Sequence, residues 1–483
     1  LPVTVIIMMI SIRNTKVLIY FRNEIVKKKN YCTILYIVIY CFWIYVKFGP
    51  EIRILALEVS MRRFDYLALV VFLIQFVSVN SYAGVLCGSD EDSVSAGKDS
   101  GAVTADDSRK GVGKVAFRYD VDFEMNFDNR EYDAAEISES RTVFGARLTP
   151  SIGLSLKERK GGAHSLMLGI DVMKDFGDSP ITPDISTDPN SPELAKGQVN
   201  KDLFREITLW YKYSFTAGKT DMDIIAGIFP RRFMTGNYSN AFFSDSLRFY
   251  DNNIEGLLLK FKRPSAKYEV GCDWMGMYGV DRRERFMIFS SGDAEITDLF
   301  SLGYSAYLYH YAGAEHVEGV VDNALLNPFF KLDFSSMTGL QRLDLRLGWL
   351  QSLQNDRRNI GKYTFPHGGE FTVAVRNWNA GIENYLFYGT SMMPYYRNKD
   401  AAGMTYGNLL YMGEPFYKVS LDNDGLGFYD RLEAYYEPRI SDFLNLRIAA
   451  VLHFNDWAFS GWQQKVSLVF NLQSLLDRVS RKK

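Results

Sequence analysis

Lys114–Phe127 reads KVAFRYDVDFEMNF, and its period decides the fold. Val115, Phe117, Tyr119, Val121, Phe123, Met125 and Phe127 are apolar, whereas Lys114, Arg118, Asp120, Asp122, Glu124 and Asn126 fall between them. A period of two places one apolar and one charged face on a β-strand. The pattern returns in Leu166–Val172, Leu203–Phe215, Leu343–Trp349 and Leu444–Phe454. Strands of roughly 9–14 residues with a dyad repeat suit a transmembrane barrel better than a soluble sheet, whose strands run about 5–6.

Sixteen strands are expected, at approximately 114–127, 141–157, 163–176, 203–217, 221–231, 247–263, 266–278, 284–290, 300–313, 327–335, 341–352, 370–378, 381–389, 428–437, 443–454 and 461–471. The fold class is therefore all-β, an antiparallel transmembrane barrel. Its connections alternate between short periplasmic turns such as GKT and PS and long external loops, of which 390–427 is the longest. Aromatic residues, at 15% of the chain, suit interfacial girdles.

The start of the chain follows a different grammar. Met61-Arg62-Arg63, the apolar run Leu67–Val79 and Ser81-Tyr82-Ala83 together read as a signal peptide over 61–83. Residues 1–60 then read as upstream sequence translated in error, the alternative being a membrane anchor at Cys32–Val46. Residues 84–113, rich in Ser, Asp and Gly, read as a flexible leader, 114–472 as the barrel and 473–483 as a short tail. Residues 1–83 carry ten Lys or Arg and four Asp or Glu, which leaves 45 basic and 53 acidic side chains and a net charge of −8. Nucleic acid is not an expected partner. Cys272 falls in phase with an apolar face, and no cysteine spacing points to a metal.

The last strand, WQQKVSLVFNL, alternates Trp462, Gln464, Val466, Leu468 and Phe470 against Gln463, Lys465, Ser467 and Asn471. An aromatic-terminated strand of this kind resembles the end of Gram-negative porin-like barrels, although this chain continues to Lys483 through a segment that can form a short amphipathic helix. AGIFPRRFMTG (226–236) and YGNLLYMGEPFY (406–417) are similar to outer-membrane barrels of Bacteroidota-type bacteria. The resemblance implies an outer-membrane location, contact with outer-membrane lipid, passage of small polar solutes and a possible homotrimer.

Charged side chains in the strands should face inward, because Arg or Lys on the lipid face costs about 2–4 kcal/mol at the midplane. That assigns Arg118, Asp120, Asp122, Glu124, Arg147, Asp171, Glu206, Lys212, Arg342, Asp344, Arg346, Arg431, Glu433 and Arg447 to the lumen. They either line a polar pore or pair across strands to hold the wall. Arg147 is the nearest expected partner for Asp120, Asp122 and Glu124. Arg231 and Arg232 read as a solvated loop pair that can also focus anions.

Catalysis draws little support: five histidines occur, His164, His310, His316, His367 and His453, and none lies in a nucleophile motif. Glu315, His316 and Glu318 read as a solvated loop cluster, Asp422–Gly425 as a turn, and no cofactor is expected. The expected function is a passive porin-like channel and not an enzyme. The alternative is a structural or surface-binding barrel with loop 179–200 plugging the lumen and loop 390–427 meeting a partner. An outer-membrane hydrolase ranks third.

Overall fold

The computed structural model describes residues 6–12, 15–21, 52–55, 114–133, 140–158, 161–177, 204–280, 282–417 and 425–472. The expected signal peptide, leader, plugging segment 179–200 and C-terminal tail lie outside these residues. In the first unit of the chain, Ile6–Ile12 pairs antiparallel with Thr15–Phe21 on one side and Ile52–Leu55 on the other.

The second unit is a closed barrel of sixteen antiparallel strands. These are β1 Lys114–Tyr132, β2 Arg141–Lys157, β3 Ala163–Asp175, β4 Phe204–Ala217, β5 Thr220–Pro230, β6 Asn253–Arg263, β7 Ala266–Gly276 and β8 Arg285–Glu295. They continue as β9 Phe300–Tyr311, β10 Val321–Asp333, β11 Arg342–Asp356, β12 His367–Asn377, β13 Ala380–Gly389, β14 Gly427–Tyr436, β15 Leu444–Asn455 and β16 Ala458–Asn471. Each pairs with its neighbour in sequence, and β16 closes onto β1 with Val466 opposite Phe127. No helix among the described residues is long and apolar enough to cross a membrane. Closure satisfies every strand edge within the sheet, which is what lets a β-structure span lipid.

The phase of the strands follows the sequence. Val115, Ile152, Leu168, Leu209, Ile288, Leu308, Leu347 and Ile448 are exposed on the outer wall, whereas Arg147, Asp171, Asp344, Arg431 and His453 are buried inside. Leu168→Arg should therefore destabilise the folded barrel by about 2–4 kcal/mol if its depth is near the midplane. Val469→Arg, whose side chain is on the lumen face, should cost far less. Urea titration of barrels folded into vesicles measures both, and equal losses would mean that the assigned phase is wrong.

The break expected between strands 370–378 and 381–389 is a two-residue hairpin, with Trp378 and Asn379 both at positive φ (49° and 66°). That is the backbone a tight hairpin between right-twisted strands requires. The last external connection is equally tight, Asp456-Trp457 at φ 50° and 67°, so the alternation of short and long connections fails there. A second correction concerns residues 247–252. They were expected to begin a strand, but Asp245–Tyr250 is a helix whose first turn is capped by Ser244 Oγ accepting from the Leu247 N–H at 3.2 Å. An N-cap serine with an acidic first residue favours that start.

Candidate active site

Two external connections turn inward and fill the lumen. In residues 231–252, Phe242 and Phe243 are buried, and Phe242 meets the ring of Tyr307 from β9 edge-on at 5.3 Å. In the connection from β13 to β14, Met392, Tyr395, Tyr406, Leu410, Tyr411 and Tyr417 are buried. This second segment is fastened by its tyrosines. Tyr406 donates to Asp356 Oδ2 at 3.0 Å, Tyr411 to Gln354 Oε1 at 2.7 Å and Tyr417 to Glu370 Oε1 at 2.7 Å. The wall donates in return, Tyr309 to the Leu409 carbonyl at 2.9 Å and Gln354 to the Met392 carbonyl at 2.9 Å.

The two segments also bond to each other, the Ser244 N–H to the Met412 carbonyl at 2.7 Å and the Glu414 N–H to the Asn240 carbonyl at 2.8 Å. They approach so closely at Gly413 that a Cβ there would lie 2.1 Å from the Ala241 carbonyl oxygen. Buried aromatics with satisfied hydroxyls are what a rigid filling needs.

Between this filling and strands β1 and β13–β16 lies a polar cavity of about 620 Å³. Seven basic side chains line it, Arg130, Arg231, Arg232, Arg248, Arg431, Arg447 and Lys465, against five acidic ones, Glu124, Asp128, Asp245, Glu383 and Glu433. Arg231 and Arg232 are paired with carboxylates outside this lining, Asp251, Asp273, Asp122 and Asp120, so the five cations that remain face five carboxylates and the cavity is rich in guanidinium donors rather than in net charge. On the β1 side, Asp128 accepts from Arg130 Nε at 2.8 Å and from Gln463 Nε2 at 3.0 Å. Arg130 reaches onward to Ser246 Oγ at 2.6 Å.

Behind Gln463 the chain continues to His453, whose Nε2 lies 2.8 Å from Gln463 Oε1 and whose Nδ1 lies 3.1 Å from Tyr429 OH. With Gln463 Nε2 committed to Asp128, its Oε1 must accept, so His453 carries its proton on Nε2 and Nδ1 accepts from Tyr429. The series Tyr429, His453, Gln463, Asp128 thus has a single direction of donation and fixes the Asp128 carboxylate.

On the opposite side, Asp245 of the infolded helix contacts Lys465 and lies 3.4 Å from Arg431, which also pairs with Glu433 at 2.7 Å. Glu433 in turn receives Arg447 at 2.7 Å. Lys465 beside Asp245 holds that carboxyl well below the usual range.

The other charged residues assigned to the lumen are mostly engaged with the wall or the filling. Arg118 Nε donates to Ser155 Oγ at 3.0 Å, Lys212 lies 3.2 Å from Asp223, and Arg342 bridges Asp344 at 2.5 Å and Glu383 at 2.8 Å. Arg346 donates to Asn327 at 2.5 Å and stacks over Phe329 at 3.8 Å. Glu206 borders a second cavity of about 290 Å³ with Asp273 and Arg285.

Two expectations about pairing are corrected. Arg147 pairs with Asp171 at 3.0 Å, not with the acidic run of β1, although it faces Glu124 across the strands. The run is met by Arg232, which contacts Asp122 and lies 3.7 Å from Asp120. Arg231 is not solvated: it is 6% exposed and held between Asp251 at 3.0 Å and Asp273 at 2.9 Å. An arginine directly after Pro230 carries no periodic signal, and only the inward turn of the loop brings these carboxylates to it.

The decisive comparison is with protein families: residues 110–474 match the lipid A 3'-O-deacylase-type family. The chain belongs to that family. The expectations of a passive channel and of a non-enzyme are thereby overturned, and the filled lumen supplies the physical reason why a sixteen-strand barrel need not be an open pore. As a family member with a closed barrel, the protein is an outer-membrane β-barrel of Gram-negative type.

Among solved structures, a triple mutant of the Rhodopseudomonas blastica porin is 10% identical, with a TM-score of 0.37, covering 74% of this chain and 100% of its own. Pseudomonas aeruginosa OpdL is 9% identical, with a TM-score of 0.41, covering 74% of this chain and 98% of its own. No curated protein sequence matches the chain significantly.

Proposed function

We propose that this family member is an ester hydrolase that removes an O-linked acyl chain from lipid A or a closely related saccharide lipid of the outer membrane. The family match over residues 110–474 carries this reading. The cavity supports it, because it presents several guanidinium groups, which suit the phosphates of such a saccharide.

Water adds to the ester carbonyl, the alkoxide leaves with a proton, and a fatty acid and a free hydroxyl result. Asp128, fixed by Arg130 and Gln463, is the base assigned to the attacking water. Arg130 offers the charge that opposes the developing oxyanion. Ser246 holds the far end of Arg130.

Mass spectrometry of lipid A incubated with the reconstituted protein tests this, one acyl chain being lost as free fatty acid. Arg130→Ala should slow the reaction about 10²–10³-fold, the usual loss for an oxyanion donor. Asp128→Asn should do at least as much, and Ser246→Ala about tenfold through looser positioning of Arg130. Unaltered lipid A with the unmodified protein, or full activity in Arg130→Ala and Asp128→Asn, would overturn the assignment.

A further inference from the structure

Asp430 stands out because it faces lipid. Its neighbours in β14, Tyr429 and Arg431, point into the lumen and are buried there, so Asp430 points out. Register confirms this: Asp430 lies opposite Leu386 on β13 and Phe454 on β15, both outward, while His453 beside Phe454 is buried inside. Asp430 accepts a hydrogen bond from Asn384 Nδ2 at 2.5 Å, and Asn384 is also outward, between the lumen-facing Glu383 and Tyr385.

The depth of the pair is set by the rings above it. Toward the external end the next outward residue after Asp430 is Phe428, buried beneath Trp457, which stacks on it at 3.8 Å and is half exposed, and on β13 Leu386 separates Asn384 from the half-exposed Tyr388. One outward step on a strand is about 6.8 Å. The carboxylate and carboxamide therefore sit just beneath the external aromatic girdle, where the acyl chains of the outer leaflet are joined to their headgroup. An ionisable group in that position is costly against hydrocarbon and marks a functional site.

The chemistry selects the partner. An Asp carboxylate offers only acceptors, and the Asn384 carbonyl adds another. Ordinary glycerophospholipids present ester oxygens at this depth, which are also acceptors. A saccharide lipid with amide-linked, hydroxylated acyl chains presents N–H and O–H donors there.

We propose that Asp430 and Asn384 form a lateral recognition site on the outer wall for the amide and hydroxyl donors at the acyl roots of such a lipid. The choice of lipid rests on the deacylase reading, and the pair would hold the substrate class against the barrel from the membrane side.

The test uses the mature protein in phosphatidylcholine nanodiscs containing a small fraction of purified lipid A, with retained lipid A counted by native mass spectrometry. Asp430→Leu should lower retention at least tenfold, as expected for losing a hydrogen bond to a charged group. Asn384→Leu should lower it less, Leu432→Ala on the same wall should leave it unchanged, and phosphatidylcholine retention should not move. Heat-modifiable gel migration reports folding, and if Asp430→Leu does not fold, Asp430→Ser reads the same loss.

Equal retention in all variants overturns the site. So does unchanged retention accompanied by loss of cross-linking between copies, which would make the pair a copy-to-copy contact. Hydrolysis is scored in the same samples. Retention that depends on Asp430 without any hydrolysis leaves the lateral site standing and discards the deacylase reading, and hydrolysis with retention independent of Asp430 does the reverse.

Discussion

Asp171→Leu should destabilise the barrel by about 3–5 kcal/mol, the usual loss when one partner of a buried ion pair is removed. The pair Arg147–Asp171 has side chains only 3% and 1% exposed, so the remaining guanidinium can neither reach water nor be screened. The damage extends beyond the wall. Arg147 also donates to the carbonyls of Phe249 and Tyr250 at the end of the infolded helix and lies over the Phe249 ring at 5.6 Å. Urea unfolding in vesicles should show the lower midpoint, and limited proteolysis should show cleavage within 231–252 that the unmodified protein resists. The double variant Arg147→Met with Asp171→Leu should recover much of the loss, since two apolar side chains leave no unpaired charge. A midpoint equal to that of the unmodified protein in Asp171→Leu would mean that the pair contributes little.

The second large effect concerns permeability. The unmodified protein should show no steady ion conductance in planar bilayers. Replacing residues 391–416 by a short Gly-Ser linker should open a water-filled path and raise conductance at least tenfold. The deleted segment carries Tyr406 and Tyr411, whose hydroxyls reach Asp356 and Gln354 on β11, along with the buried Met392, Met393 and Tyr395. Without them the barrel keeps its strands, because wall pairing does not use these residues, and a sixteen-strand barrel is wide enough for an aqueous channel. Steady openings of the unmodified protein would show that the filling leaves a conducting path.

The wall was legible because its period is local. Lys114–Phe127 already assigns each side chain to lipid or lumen, and fifteen further repeats of that rule make the barrel. The filling was not legible, because its logic is not periodic. The YGNLLYMGEPFY segment gives a run of Tyr, Met and Phe that suits an external loop as well as a buried one, and only the acceptors Gln354, Asp356 and Glu370, far away in sequence, decide between them. The same holds for the candidate site. His453 falls between Leu452 and Phe454 in an alternating strand, but Tyr429, Gln463 and Asp128 come from three other strands. Their convergence depends on closure of β16 onto β1. A functional group dispersed over a closed wall leaves no spacing motif to find, which is why an absent nucleophile motif argued wrongly against an enzyme.

The contact between Asp245 and Lys465 has a consequence for biogenesis. Lys465 belongs to the strand that completes the cylinder, whereas Asp245 belongs to a loop made more than two hundred residues earlier. A loop that already occupies the interior when the final seam zips offers Lys465 its carboxylate partner as the ring of hydrogen bonds closes. An empty cylinder would instead seal with Lys465 short of this carboxylate, while Arg431 would keep Glu433 at 2.7 Å. The single ion contact in this way favours a cylinder closed around the loop over one closed without it.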